Sequence, residues 1–79
     1  MYYVYILKSE TDASRYVGVS QNLQRRLLEH NNVTAKYSRS KRPYKLIWYS
    51  VFSMKKKAYA FEKYLKSSSG YAFTKKHLI

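Results

Sequence analysis

Four acidic residues are spread over 79 positions, and one of them sits where a carboxylate is hard to keep. Glu10 and Asp12 fall in a polar run that reads as a turn, where water solvates them, and Glu29 reads as the polar side of a helix. Glu62 instead shares a stripe with Ala58, Phe61 and Leu65, at the i, i+3, i+4, i+7 spacing of one helical face. A charged group there is costly unless its charge is compensated. It is either paired with a cation at the core margin or a metal ligand, since one carboxylate plus waters and a phosphate is an ordinary way to hold Mg²⁺. Arg26 raises the same question, because it falls on one face with Leu23, Leu27 and His30. A guanidinium in that position can clamp a phosphate and offset charge developing in a transition state. Alternatively it extends to solvent, or pairs with Glu62. His30 is suited to act as acid, base or phosphate donor, or to cap the helix end. Tyr5 and Tyr16 complete the set. A phenol beside a cation has its anion favoured, so its pKa falls and it can take a proton from water. With ten tyrosines in the chain, most must be packing residues.

These side chains need a scaffold, and the hydrophobic pattern supplies one. Tyr2–Lys8 is apolar on both alternating faces, as a central strand requires. A polar run over Ser9–Ser14 predicts a turn, and Arg15–Val19 a second strand, making an antiparallel hairpin with Tyr5 and Tyr16 on its two arms. Ser20 or Asn22 caps a helix running to about His30, with Asn31-Asn32 as its stop. Val33–Arg42 is polar and basic, with room for a short helical turn. Pro43 ends it, and Tyr44–Phe52 reads as a third strand. Met54–Lys66 is a helix, Ser67–Gly70 breaks the pattern with Gly70 suited to a left-handed cap or turn, and Tyr71–Leu78 forms a last short helix. The expected order is β-β-α-α-β-α-α, a small α+β fold with a three-stranded antiparallel sheet flanked by helices. The length suits one domain over residues 1–79.

Composition narrows the partner. Sixteen Lys and Arg against four acids give a formal net charge of +12, beyond what solubility asks of a small domain. Such a field attracts polyanions, and binding should weaken steeply with salt. Lys36, Arg39, Lys41 and Arg42, with Tyr37 among them, form a basic segment suited to phosphate contact. The absence of cysteine excludes disulfides and thiolate zinc sites. No apolar run is long enough to span a membrane and no signal-peptide pattern is present, so the cytoplasm is the expected location.

Taken in order, Tyr3-Val4-Tyr5, then after ten residues Tyr16-Val17-Gly18, then Asn22-Leu23-Gln24-Arg25-Arg26-Leu27-Leu28-Glu29-His30-Asn31, resemble the pattern of the GIY-YIG endonucleases. Arg42-Pro43-Tyr44-Lys45-Leu46-Ile47-Trp48-Tyr49 and Ala60-Phe61-Glu62-Lys63-Tyr64-Leu65-Lys66 resemble the small stand-alone bacterial, UPF0213-like, subgroup, and the likeness covers nearly the whole chain. The resemblance implies the GIY-YIG fold and a nuclease that hydrolyses DNA phosphodiesters with Mg²⁺ or Mn²⁺ and no covalent intermediate, in DNA repair or processing. It maps the family's two motif tyrosines to Tyr5 and Tyr16, its helix arginine to Arg26, its metal-binding glutamate to Glu62, and a histidine of many members to His30. Two positions depart from the pattern. Tyr3 stands where the motif has glycine, and Val19 follows Gly18 where the repair nucleases carry a lysine. The alternative on the same fold is a binding module that holds nucleic acid and cleaves it weakly or not at all.

Overall fold

A computed structural model describes residues 1–11, 14–31 and 43–78, apart from the side chain of His30. In chain order it has β1 (Tyr2–Ser9), β2 (Arg15–Ser20), α1 (Leu23–Asn31), β3 (Tyr44–Phe52), α2 (Lys55–Leu65), α3 (Ser68–Phe73) and a π-helical segment (Thr74–Leu78). The three strands form one antiparallel sheet in the order β2-β1-β3. The helical turn expected within 33–42 lies outside the described residues.

The central place of β1 follows from its sequence. Val4, Tyr5, Ile6 and Leu7 are all fully buried, which only a strand covered on both faces achieves. Alternation then divides the core. Val4 and Ile6 point to one face, where Ala58, Phe61 and Leu65 of α2, Phe73 of α3 and Leu78 pack on them with Val17, Val19, Trp48 and Phe52. Tyr5 and Leu7 point to the other, against Tyr16, Tyr44, Leu46 and the α1 residues Leu23 and Leu27. Each buried aliphatic side chain contributes on the order of 1.5–3 kcal/mol, so both helix layers are anchored by the one strand.

One irregularity adjusts the faces. Ile6 pairs with Trp48 but Leu7 pairs with Leu46, leaving Ile47 as an extra residue in β3. The bulge lets Ile47 and Trp48 both join the α2 side of the core while Leu46 and Tyr44 serve the α1 side.

The ends of α1 are fixed by side chains. The Asn22 Oδ1 accepts from the Arg25 backbone N–H at 3.0 Å, an N-cap bond, and Ser20 Oγ accepts from Asn22 N–H at 3.0 Å. At the far end the Asn31 amide bonds both backbone groups of Tyr44: Oδ1 accepts from its N–H at 2.6 Å and Nδ2 donates to its carbonyl at 3.2 Å. The helix α2 is less well finished. Met54 occupies its N-cap with no side-chain hydrogen bond, and its first turn is Lys55-Lys56-Lys57, cations at the positive end of the dipole.

The expectation for Gly70 is corrected by its surroundings. It lies inside α3, where Ser67 is the N-cap and its Oγ accepts from the Gly70 N–H at 3.1 Å. Gly70 is needed for closeness: an added Cβ would collide with the Tyr64 carbonyl oxygen and come within 2.6 Å of the Leu65 Cα. The last turn of α3 continues without a break into the π-helical segment, where Thr74 Oγ1 donates to the Gly70 carbonyl at 2.8 Å. Among the described residues, no helix is long and apolar enough to cross a membrane.

Candidate functional site

Tyr5 stands directly opposite Gly18 in the β1–β2 ladder, and the glycine is what gives its ring a place. A Cβ on Gly18 would lie 2.5 Å from the Tyr5 hydroxyl oxygen, 2.7 Å from its Cζ and 3.0 Å from Tyr16 Cε1. The bare backbone of the edge strand therefore carries both phenols side by side, ring centroids 6.3 Å apart and roughly stacked. Tyr5 is fully buried and Tyr16 is half-buried on the edge strand.

Arg26 approaches this pair from α1, one turn from the cap at Asn22. Its side chain is 42% exposed, so it stands near the phenol and still faces solvent. Burial pushes the Tyr5 hydroxyl above its ordinary value of 10.0, and the neighbouring Arg26 guanidinium pulls it back only in part. The expectation that a neighbouring cation lowers this phenol's pKa is thus corrected for Tyr5: removal from water outweighs the guanidinium, and Tyr5 is a neutral phenol at physiological pH. In return the Arg26 guanidinium is held above its usual value, first by Tyr5 and then by Glu29.

Glu29 is a neighbour that periodicity alone reads as merely solvated. Its carboxylate accepts from Arg26 Nη1 at 3.1 Å and lies 3.5 Å from Arg25 Nε. The i,i+3 and i,i+4 spacings are the sequence signal for these pairs. The alternative pairing of Arg26 with Glu62 is not what forms. Gly18, too, shows in the sequence only as part of a motif; its role as the floor beneath two rings depends on cross-strand register.

Glu62 belongs to the other layer. Ala58 and Leu65 of α2 press on the sheet, and Phe61 meets Trp48 and Phe52 of β3 with centroids 5.9 and 5.5 Å away. Glu62 lies about 100° further round the helix, on the opposite flank of the Ala58–Leu65 line, which is the side of β2. Its side chain is 19% exposed, and the Lys66 ammonium pairs with it at 2.7 Å. The structure thus gathers Tyr5, Tyr16 and Arg26 on the α1 face and places Glu62 on the α2 side of the sheet. Among the described residues no three His, Cys, Asp or Glu cluster together. His30 is part of α1. Lys36, Arg39, Lys41 and Arg42 lie outside the described residues.

Comparison with known proteins takes in nearly the whole chain. The family model described as the GIY-YIG catalytic domain matches residues 1–76. A UPF0213 protein of Clostridium perfringens is 45% identical over 67 residues, covering 84% of this chain and 71% of that protein. Another, from Staphylococcus saprophyticus, is 35% identical over 69 residues, covering 86% and 83%. The solution NMR structure of a UPF0213 protein from Bacillus halodurans aligns with a TM-score of 0.59 at 31% identity, over 96% of this chain and 84% of that one. Sequence pattern, sheet topology and these matches agree, and the chain belongs to the GIY-YIG family, among its UPF0213 members.

Proposed function

We propose that the chain is a metal-dependent endonuclease that hydrolyses phosphodiester bonds in DNA, acting in the cytoplasm in DNA repair or processing. The observation that carries this reading is Arg26: a guanidinium set beside the buried phenol of Tyr5, with its remaining surface open to solvent. A solvent-facing cation held in one orientation beside proton-bearing groups suits a phosphate undergoing substitution better than it suits packing.

In this reading Arg26 binds a non-bridging oxygen of the scissile phosphate and offsets the charge that grows on it. Tyr5, neutral and fixed by Gly18, orients the guanidinium. Tyr16, half-buried on the edge strand, orients the attacking water and receives its proton, and His30 assists proton movement or phosphate contact. Glu62 would hold Mg²⁺ or Mn²⁺. A single half-buried carboxylate fits a hydrated hard cation of this kind, which completes its shell with water and phosphate oxygens. When bound, the ion would supply Lewis-acid stabilisation to a phosphate at the β2 edge, the flank of the sheet toward which Glu62 turns. The basic segment Lys36, Arg39, Lys41 and Arg42 would position the duplex through its phosphates.

The test is nicking of supercoiled plasmid with Mg²⁺ or Mn²⁺, against EDTA and against Arg26→Ala and Glu62→Gln. Loss of a charge-stabilising donor costs about 10²–10³-fold in rate, so folded Arg26→Ala should be nearly silent, and folded Glu62→Gln should lose the metal-dependent nicking. Equal nicking by parent and Arg26→Ala would mean contamination. Equal nicking by parent and Glu62→Gln would remove the metal-ligand role. A second reading, a binding module on the same fold, is favoured by the tight Glu62–Lys66 pair, which competes with any cation for the carboxylate. Metal-independent binding without turnover on duplex, branched or single-stranded DNA would decide for it.

A further inference from the structure

The sheet face turned toward α2 and α3 carries a second cationic centre that the reading above leaves without a task. A cavity of about 540 Å³ opens there between β2 and the α2–α3 corner, with Ile6, Val17 and Leu65 inside it and Arg15, Lys66 and Tyr71 around it. Arg15 is the residue to explain. Its guanidinium carbon stands 5.0 Å from the centre of the Tyr71 ring, a cation–π contact. Its Nη1 is buried, yet among the described residues no hydrogen-bond acceptor reaches it. A buried N–H donor without an acceptor costs stability, and native structures seldom keep one without a reason.

Strand register adds to this. Lys8 on β1 pairs with Arg15 on β2 and with Lys45 on β3, so three cations line up across the sheet on this one face. Like charges directly opposite each other destabilise a sheet. Among the described residues, no carboxylate pairs with Arg15, Lys8 or Lys45, while Glu62 pairs with Lys66. A planar fork held by an aromatic ring, an unused N–H and a file of lysines describe a receptor for phosphate oxygens in series.

We propose that Arg15, braced by Tyr71 and flanked by Lys66, receives a backbone phosphate of nucleic acid in this cavity, with Lys8 and Lys45 meeting further phosphates along the end of the sheet. The proposal rests on the DNA-directed reading and adds to it a contact on the face opposite α1. A linear polyanion fits the observations better than a small phosphate compound, because the cations continue out of the cavity in a row.

The experiment has two arms. In the first, the ¹⁵N-labelled chain is titrated with inorganic phosphate and then with a short DNA duplex, following the Nε–Hε resonance of Arg15. Both should move it. In the second, duplex affinity is measured against salt for the parent and for Arg15→Gln. Each phosphate contact contributes nearly one to the slope of log K on log salt, so the variant's slope should be shallower by about one. An unchanged slope and affinity in folded Arg15→Gln overturns the proposal. A resonance that moves with phosphate but not with duplex also overturns it, assigning the cavity to a small anion. If Arg15→Gln does not fold, the first arm on the parent decides alone. The outcome is separable from catalysis: a chain that never nicks plasmid but loses slope with Arg15→Gln keeps this site and loses the nuclease reading. A chain whose nicking depends on Arg26 while Arg15→Gln changes nothing does the reverse.

Discussion

Replacing Gly18 by Ala tests the site with a single methyl group. Ordinary carbon contacts lie at 3.4–4 Å, whereas the new Cβ would stand 2.5 Å from the Tyr5 hydroxyl oxygen and 2.7 Å from Cζ. The Tyr5 ring must therefore retreat by about 1 Å, and it has little space, because the residue is fully buried between α1 and β2. Overpacking of this kind costs about 1–3 kcal/mol. The functional loss should be larger than the loss of stability suggests, since a 1 Å misplacement of a positioning group can cost about 10²-fold in rate. The phenol that moves is the one against which Arg26 rests. Urea denaturation and plasmid nicking measure the two effects separately. Adding Tyr5→Phe removes the atom closest to the new methyl, so the methyl should destabilise the Tyr5→Phe background less than the parent, with a coupling of at least about 0.5 kcal/mol. If Gly18→Ala is as stable as the parent, or costs the same with and without the Tyr5 hydroxyl, the account of the glycine as a floor for the phenol is wrong.

Three further outcomes follow from the same geometry. The folded chain holds the Tyr5 proton more tightly than the unfolded chain does, so the stability this contributes is complete below pH 10.0 and is lost as pH rises through the raised folded value. Urea midpoints at neutral pH and at about pH 11 should show a smaller alkaline decline in Tyr5→Phe than in the parent. Met54→Asp supplies the missing cap of α2 and an anion beside Lys55, Lys56 and Lys57; Met54 is itself exposed, so a gain of about 1 kcal/mol in thermal or urea stability is expected. Glu29→Gln releases Arg26 from a carboxylate that competes with phosphate, and should raise duplex affinity roughly two- to five-fold at low salt and little at high salt, as titration at two ionic strengths would reveal.

The elements that the sequence announces best are those whose apolar runs are most sharply bounded. Tyr2–Lys8 is apolar on both alternating faces because both are covered, and Tyr44–Phe52 is bounded by a proline and a polar break, so both strands are where pattern places them. The Ile47 bulge leaves no such mark, since an apolar run reads the same in either register. Gly70 misleads for a related reason: a glycine needed for close approach looks, in one dimension, like a glycine needed for a turn. At the site, helical spacing suffices to put Arg26 beside the core. It cannot weigh the burial of Tyr5 against the nearness of a cation, and the sign of that phenol's pKa shift depends on the balance. Arg15 carries no mark in the sequence, because an unmet N–H exists only once β2, Tyr71 and the cavity are assembled.

The two bonds from the Asn31 amide to the Tyr44 backbone have a consequence for how such a chain can change over time. They rivet the exit of α1 to the entrance of β3 from outside the stretch that joins them. Lengthening or shortening residues 32–42 then leaves both anchor points where they are, and doubling a connection costs only about 0.6 kcal/mol in closure entropy. The basic stretch becomes an interchangeable cassette, able to acquire new reach or selectivity by insertion while the sheet stays the same.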